Sequence, residues 1–300
     1  MSKFCLGTVQ FGMKYGINNS SGKLNKKRIF EILDFALEKG IEYFDTAKIY
    51  GDSEELIGEY LEDRKTSIKI ISKLVPDLLD KVNDNIEDAV VNELTESLKK
   101  MKIDFIHGFL LHNPEHFYNG KVVKGLLKCK ELGLVEKIGV SIYEPEDAIK
   151  VVESGLVDYI QVPFSIFDQR LSEVDFFVRA KVNGVSVFAR SLFLQGLLLM
   201  KQDQIPNHLT NSIFYLDRLD RILEKYSYSR LKVALLFAYQ NPGIDYLVIG
   251  VDNINQLVEI TSITEQMLED TLLTELRDGF GDVDIQVISP NRWSNKGGNR

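Results

Sequence analysis

Eight short apolar runs, each followed by a longer amphipathic stretch, constrain this chain more than any other feature. They span residues 4–9, 42–46, 69–73, 105–111, 137–141, 159–162, 185–190 and 246–250. Most are continuous rather than alternating, the pattern of strands covered on both faces in a parallel sheet. Helical stripes lie between them. Ile29, Leu33 and Leu37 recur at four-residue spacing with Ala36 on the same face, and Lys39-Gly40 supplies a basic last turn and a stop. Ile57 and Leu61 share a face in the segment 54–61. Val90, Leu94, Ser97, Leu98 and Met101 form a third stripe. Val122, Leu126, Leu127 and Lys130 form a fourth that ends near Gly133, and Pro145 opens a fifth.

This alternation over 300 residues predicts a (β/α)8 TIM barrel built as one domain over 1–300. An insertion is expected at about 192–211 and a loop-like tail at about 280–300, its last residues 294–300 frayed. A doubly wound sheet is the alternative. It is disfavoured because no Gly-x-Gly-x-x-Gly turn follows an early strand.

Charge and cysteine content remove several classes. The 36 basic and 44 acidic residues leave a net charge of −8, which argues against a nucleic-acid partner. No apolar stretch of signal-peptide length opens the chain, and the most apolar segment, 191–200, is about half the length of a membrane span. Two cysteines, Cys5 and Cys129, make neither a disulfide framework nor a zinc cluster. The expectation is a cytoplasmic enzyme with no metal and no membrane partner. The pattern is silent on oligomeric state.

A barrel of this type carries its chemistry at the C-terminal ends of its strands. Asp45 ends the second run, Tyr50 follows in the next loop, Lys73 ends the third, and His112 follows the fourth. A tyrosine near pKa 10 is a poor acid at neutral pH, and a neighbouring ammonium lowers that value. An aspartate keeps the lysine charged, and a neutral histidine orients a carbonyl oxygen. Tyr50 would then protonate that oxygen while hydride reaches its carbon. Side chains carry no hydride, so a nicotinamide cofactor is implied. Taken singly, Asp45 reads as a helix cap, Lys73 as a solvated charge, His112 as a turn histidine and Tyr50 as a packed aromatic. Their order at neighbouring strand ends favours the catalytic reading. His107, His116 and His208 read as structural or surface residues.

The same residues carry a resemblance. Residues 40–55, with Phe44-Asp45-Thr46-Ala47, Tyr50-Gly51 and Ser53-Glu54, resemble the signature of aldo-keto reductases. So do Leu6-Gly7-Thr8-Val9-Gln10-Phe11-Gly12 and Leu110-Leu111-His112-Asn113-Pro114, in an order that runs from about 4 to 265. The resemblance implies a (β/α)8 barrel and NAD(P)H-dependent reduction of an aldehyde or ketone. It maps the catalytic tetrad onto Asp45, Tyr50, Lys73 and His112.

Cofactor contacts implied by the resemblance begin with Gly7, Thr8, Val9 and Asp45. Ser141 matches a serine that holds the carboxamide, while Ile142 replaces the family's asparagine. Gln161 matches the carboxamide glutamine. Arg190, Ser191 and Leu192 fit the stretch that stacks on the nicotinamide and starts the phosphate site, where many members have an aromatic residue instead of Arg190. Gln195 and Gly196 resemble a loop at the pyrophosphate. Gly250, Val251, Asn253 and Gln256 resemble the last strand and a helix start that suits an anion.

The family preference is NADP(H). Here Asp252 and its neighbours offer no cation for a 2′-phosphate, and an acidic residue suits a free 2′-hydroxyl, so NAD(H) is the competing expectation. For the small-molecule carbonyl substrate, Gln10, Phe11, Tyr15, Tyr50 and His112 are the expected pocket residues, with loop packing the competing role for the first three. Trp293 either closes the pocket or anchors the tail. Two other functions stand beside the reductase. One is a non-catalytic subunit that senses nicotinamide nucleotides. The other is a metal-dependent hydrolase, for which only Asp45 and His112 are well placed.

Overall fold

A computed structural model describes residues 2–19, 22–64 and 66–293. All eight expected runs form strands: β1 (Phe4–Gly7), β2 (Tyr43–Asp45), β3 (Lys69–Leu74), β4 (Ile106–Leu111), β5 (Val135–Ser141), β6 (Tyr159–Pro163), β7 (Ser186–Arg190) and β8 (Tyr246–Gly250). They pair in parallel in chain order and close, β1 against β8, into a barrel ringed by helices. The chain adopts the predicted (β/α)8 TIM barrel.

Seven of the eight strands differ from the sequence reading by one or two residues at one or both ends, for identifiable reasons. The first run was expected to continue to Val9. It stops at Gly7 because the Thr8 N–H and hydroxyl both turn to the Asp45 carbonyl, and Val9–Gly12 then coils into one helical turn. Phe105 lies outside β4 and is exposed. In the helix Gly120–Glu131 the buried face includes Cys129, whereas Lys130 points outward to Asp158. Pro145 takes the first turn of the helix Pro145–Glu153, as expected of a residue with no N–H to satisfy.

Two segments read as irregular contain short turns. Residues 192–211 hold three 3-10 turns, Leu194–Leu199, Gln202–Gln204 and Asn207–Leu209. The tail holds a helical turn, Ile285–Ile288, and a 3-10 turn, Pro290–Arg292. The expected frayed end, 294–300, lies outside the described residues. Among the described residues no helix is long and apolar enough to cross a membrane.

The barrel lumen is layered. Side chains two apart on a strand share a face. One layer consists of Cys5, Ile71, Leu110, Tyr159 and Phe188, with Tyr43, Tyr246 and Val248 packed against them. Two residues further along, toward the C-terminal ends, the layer reads Gly7, Asp45, Lys73, His112, Gln161, Arg190 and Gly250. The apolar layer thus supports a polar one, on which the site is built.

Candidate active site

The loop that carries Tyr50 is fixed from several sides. Ser53 donates to the Thr8 carbonyl at 3.1 Å and to the Thr8 hydroxyl at 2.8 Å, and accepts from Thr46 at 3.0 Å. Glu54 accepts from Ser72 of β3 at 2.7 Å. These bonds explain the Ser53-Glu54 part of the motif: it ties the start of the helix Ser53–Arg64 to the ends of β1, β2 and β3. Two glycines allow the loop to sit close. A side-chain carbon on Gly12 would lie 1.6 Å from the Tyr50 carbonyl oxygen. Gly51 has φ +57°, and a side-chain carbon there would lie 2.4 Å from the Gly12 oxygen.

Lys73 is 1% exposed. Its ammonium donates to both Asp45 carboxylate oxygens, at 2.7 and 2.8 Å, and to the Thr46 carbonyl at 2.9 Å. The same nitrogen lies 5.0 Å from the centre of the Tyr50 ring. Gln161 Nε2 donates to Asp45 at 2.8 Å, and Ser141 donates weakly to Gln161 Oε1 at 3.4 Å. A buried ion pair of this kind persists only when its remaining groups are bonded, and here both partners are. The link from Gln161 to Asp45 carries no local sequence signal, because the two residues are 116 positions apart.

The acid–base balance differs from expectation on one point. Lys73 does lower the Tyr50 pKa, but burial outweighs it and Asp45 opposes it, so the phenol is pushed up to about 12. The hydroxyl therefore keeps its proton at neutral pH. Burial, Lys73 and Arg190 push His112 down to about 3, so the imidazole is neutral, as expected. Its ring meets Tyr50 edge-on, with centroids 5.9 Å apart at 87°, and its Nδ1 is buried without a partner.

Asp45, Tyr50 and Gln161 line one end of a cavity of about 330 Å³, within the range of small-molecule sites. Gly7, Thr8, Val9, Gln10 and Tyr15 line it from the first loop. Arg190, Ser191, Leu192, Gln195 and Gly196 line it from the seventh, and Gly250 and Gln256 from the eighth. The other residues expected here do not line it, His112 among them, whose ring packs behind Tyr50. Ser141 and Val251 are buried behind the wall. Asn253 caps the helix Ile254–Ile263 by accepting from the Gln256 N–H. Phe11 is fully buried in the core. Trp293 docks the tail by donating to the Gln286 carbonyl at 2.7 Å, and does not line the cavity.

Three polar lining residues were not foreseen. Glu259 sits one helical turn beyond Gln256, a spacing that would have revealed it. Asn18 and Asn19 had no signal in the sequence; Asn19 donates to Asp252 at 2.9 Å across the chain. Asp252 and Glu259 make this far end acidic, and burial raises the Asp252 pKa. The cavity's lining is mixed, with Gln10, Asn18, Asn19 and Arg190 beside Val9, Leu192, Phe193 and Leu199. Gln10 Oε1 is buried at its wall with no partner, an acceptor open to a ligand hydroxyl or amide.

The model of the aldo/keto reductase family matches residues 3–278. The oxidoreductase YqkF of Bacillus subtilis is 26% identical over 280 residues, covering 86% of this chain and 90% of that protein. The aldo-keto reductase YhdN of the same organism is 25% identical over 287 residues, covering 88% and 85%. The NAD(P)H-dependent 6'-deoxychalcone synthase of Glycine max is 26% identical over 273 residues, covering 80% of each chain. Among solved structures, the aldo-keto reductase AKR11C1 from Bacillus halodurans superposes with a TM-score of 0.74 at 20% identity, covering 92% of this chain and 91% of that one. With the motif, the barrel and the family match in accord, the chain belongs to the aldo/keto reductase family.

Proposed function

We propose that the chain reduces a small aldehyde or ketone at the expense of a nicotinamide cofactor, with Tyr50 as the proton donor. The observation that carries this reading is the Lys73 ammonium, buried between the Asp45 carboxylate and the Tyr50 ring. Tyr50 holds its proton until a carbonyl oxygen gains negative charge beside it. Lys73 then stabilises the phenolate left behind, and Asp45, held by Gln161, keeps Lys73 charged. The neutral His112 orients the carbonyl oxygen by a hydrogen bond.

When bound, NADH or NADPH supplies the hydride. Gln161 would hold its carboxamide, with Ser141 behind it bonded to Gln161. Ser191 and Leu192, then Gln195 and Gly196, would follow along its length, and Gly250 and Gln256 would close its far end at a helix N-terminus. The printed name of the Glycine max relative states NAD(P)H dependence, which supports the cofactor class. Asp252 and Glu259 at the far end would repel a 2′-phosphate and accept from a free 2′-hydroxyl, which favours NADH.

One experiment tests both parts. A panel of carbonyl compounds is assayed with NADH and NADPH through nicotinamide absorbance, on the native chain and on Tyr50→Phe. Turnover that falls by about 10²–10⁴-fold in Tyr50→Phe, with cofactor affinity retained, is the expected result. Equal turnover in both proteins would remove Tyr50 from its role. No turnover with any carbonyl would return the chain to the non-catalytic, nucleotide-sensing reading. NADPH bound a hundredfold more tightly than NADH would end the cofactor preference.

A further inference from the structure

Arg190 is the only cation among the described residues that line the cavity. It is the last residue of β7, two beyond Phe188, so its side chain enters the polar layer of the lumen. Its guanidinium lies 4.4 Å from the centre of the Tyr143 ring. It donates to the Ile142 carbonyl at 2.9 Å and to the Ser191 hydroxyl at 3.2 Å. Those bonds use two of its five N–H donors.

A nearby arginine shows what Arg190 lacks. Arg170 pairs with Asp168 and with Glu144, each at 2.8 Å, and donates to the Tyr143 carbonyl at 3.2 Å. That anchors the residue on which Arg190 rests. Among the described residues no carboxylate pairs with Arg190 itself, although it is half-buried. A guanidinium stays charged under these conditions, so the site keeps an uncompensated positive charge. It shares the polar layer with Asp45, Lys73 and His112, which places it beside the carbonyl end of the cavity rather than the acidic far end, and its charge lowers the pKa of both His112 and Tyr15.

Resting on the reductase reading above, we infer that the substrate is a carbonyl compound bearing a carboxylate, which seats on Arg190 while its carbonyl faces Tyr50 and His112. The planar guanidinium fork matches a carboxylate in geometry as well as charge, and its free N–H groups supply the donors. The Tyr143 ring and the two existing bonds hold the fork in place before the substrate arrives. No bond forms or breaks at Arg190; it selects and positions.

Two matched pairs test the inference: 4-formylbenzoate against 4-formylbenzamide, and succinic semialdehyde against its amide. In at least one pair kcat/KM for the acid should exceed that for the amide by tenfold or more, and this ratio should fall toward one in 0.5 M salt. Arg190→Gln should cut the ratio at least tenfold, whatever it does to absolute rates, while Arg190→Lys keeps part of it. A ratio at or below one in both pairs overturns the inference. So does an equal loss of acid and amide turnover in Arg190→Gln, which would place the guanidinium on the cofactor.

Calorimetric binding of benzoate and benzamide to the native chain with oxidised cofactor gives an answer independent of any variant. Benzoate should bind at least tenfold more tightly, and equal binding overturns the inference. Reduction of the amides without preference for the acids would sink this inference and leave the reductase reading standing. Failure to reduce these four or any other carbonyl of the panel would sink that reading, and the benzoate comparison would still decide this one.

Discussion

The two layers of the barrel lumen are made by the same strands, two residues apart, yet they are held together by different physics. In the lower layer Phe188 stacks on Tyr246, with centroids 4.7 Å apart, and meets Tyr159 at 5.0 Å and Tyr43 at 5.7 Å. Contact area and aromatic geometry hold it, and each pair contributes modestly. In the upper layer Lys73, Asp45 and Gln161 are just as buried, but there each group depends on a charged or polar partner. The lower layer tolerates loss of a hydroxyl. The upper one does not tolerate loss of a charge, since the partner is then left buried and unpaired. The barrel thus separates the residues that close it from those that do chemistry, although they share strands.

The largest test of this contrast is Lys73→Met. It should reduce turnover by about 10²–10⁴-fold through the lost support of the Tyr50 phenolate. It should also cost about 3–5 kcal/mol of stability, because Asp45 stays buried without its counterion. Adding Asp45→Leu should restore most of that stability in urea unfolding and none of the turnover. A double variant as unstable as the single one would mean that the upper layer is held by packing after all.

Next in size is Phe188→Ala in the lower layer, which should cost about 3–5 kcal/mol in the same measurement. Turnover per folded molecule should remain near that of the native chain. If turnover fell with stability intact, the two layers would not be separable. Tyr159→Phe should be milder, within about 1 kcal/mol, because the hydroxyl makes only a 3.5 Å contact with Tyr43.

The smallest effect concerns pH. The His112 pKa is depressed to about 3, so no His112 limb should appear in kcat/KM between about pH 5 and 8. Nitrogen-15 NMR should show the ring neutral throughout that range, and a midpoint near 6.5 would place it in a wetter site than described. The linkage to stability follows. Below about 6.5 the unfolded chain binds a proton at this histidine and the native one does not, so stability falls with pH toward about 3. Tyr50 acts at the other extreme. Its native pKa is raised to about 12, so the unfolded chain loses its proton first and stability falls as pH rises from about 10.

Much of the scaffold was legible along the chain. All eight strands followed from apolar runs, and four candidate catalytic residues from their positions at strand ends. Where the reading slipped, a distant group had intervened. Thr8 leaves β1 because the Asp45 carbonyl is there to receive it. Phe11 and Trp293 were each open between the pocket and packing, and distant groups chose: the core takes one and the Gln286 carbonyl the other. Tyr143 carried no signal at all, and acquires its place under Arg190 only when the loops after β5 and β7 meet.

The sequence alone determined the period of its strands and helices and the residue types at each strand end, because these depend on neighbours a few positions away. Tertiary structure decided the bond between Gln161 and Asp45, the unpaired charge of Arg190 and the upward shift of Tyr50. Solvent exclusion and the summed field of charges are properties of closure. They arise only when residues far apart in the chain are brought within a few ångströms of one another.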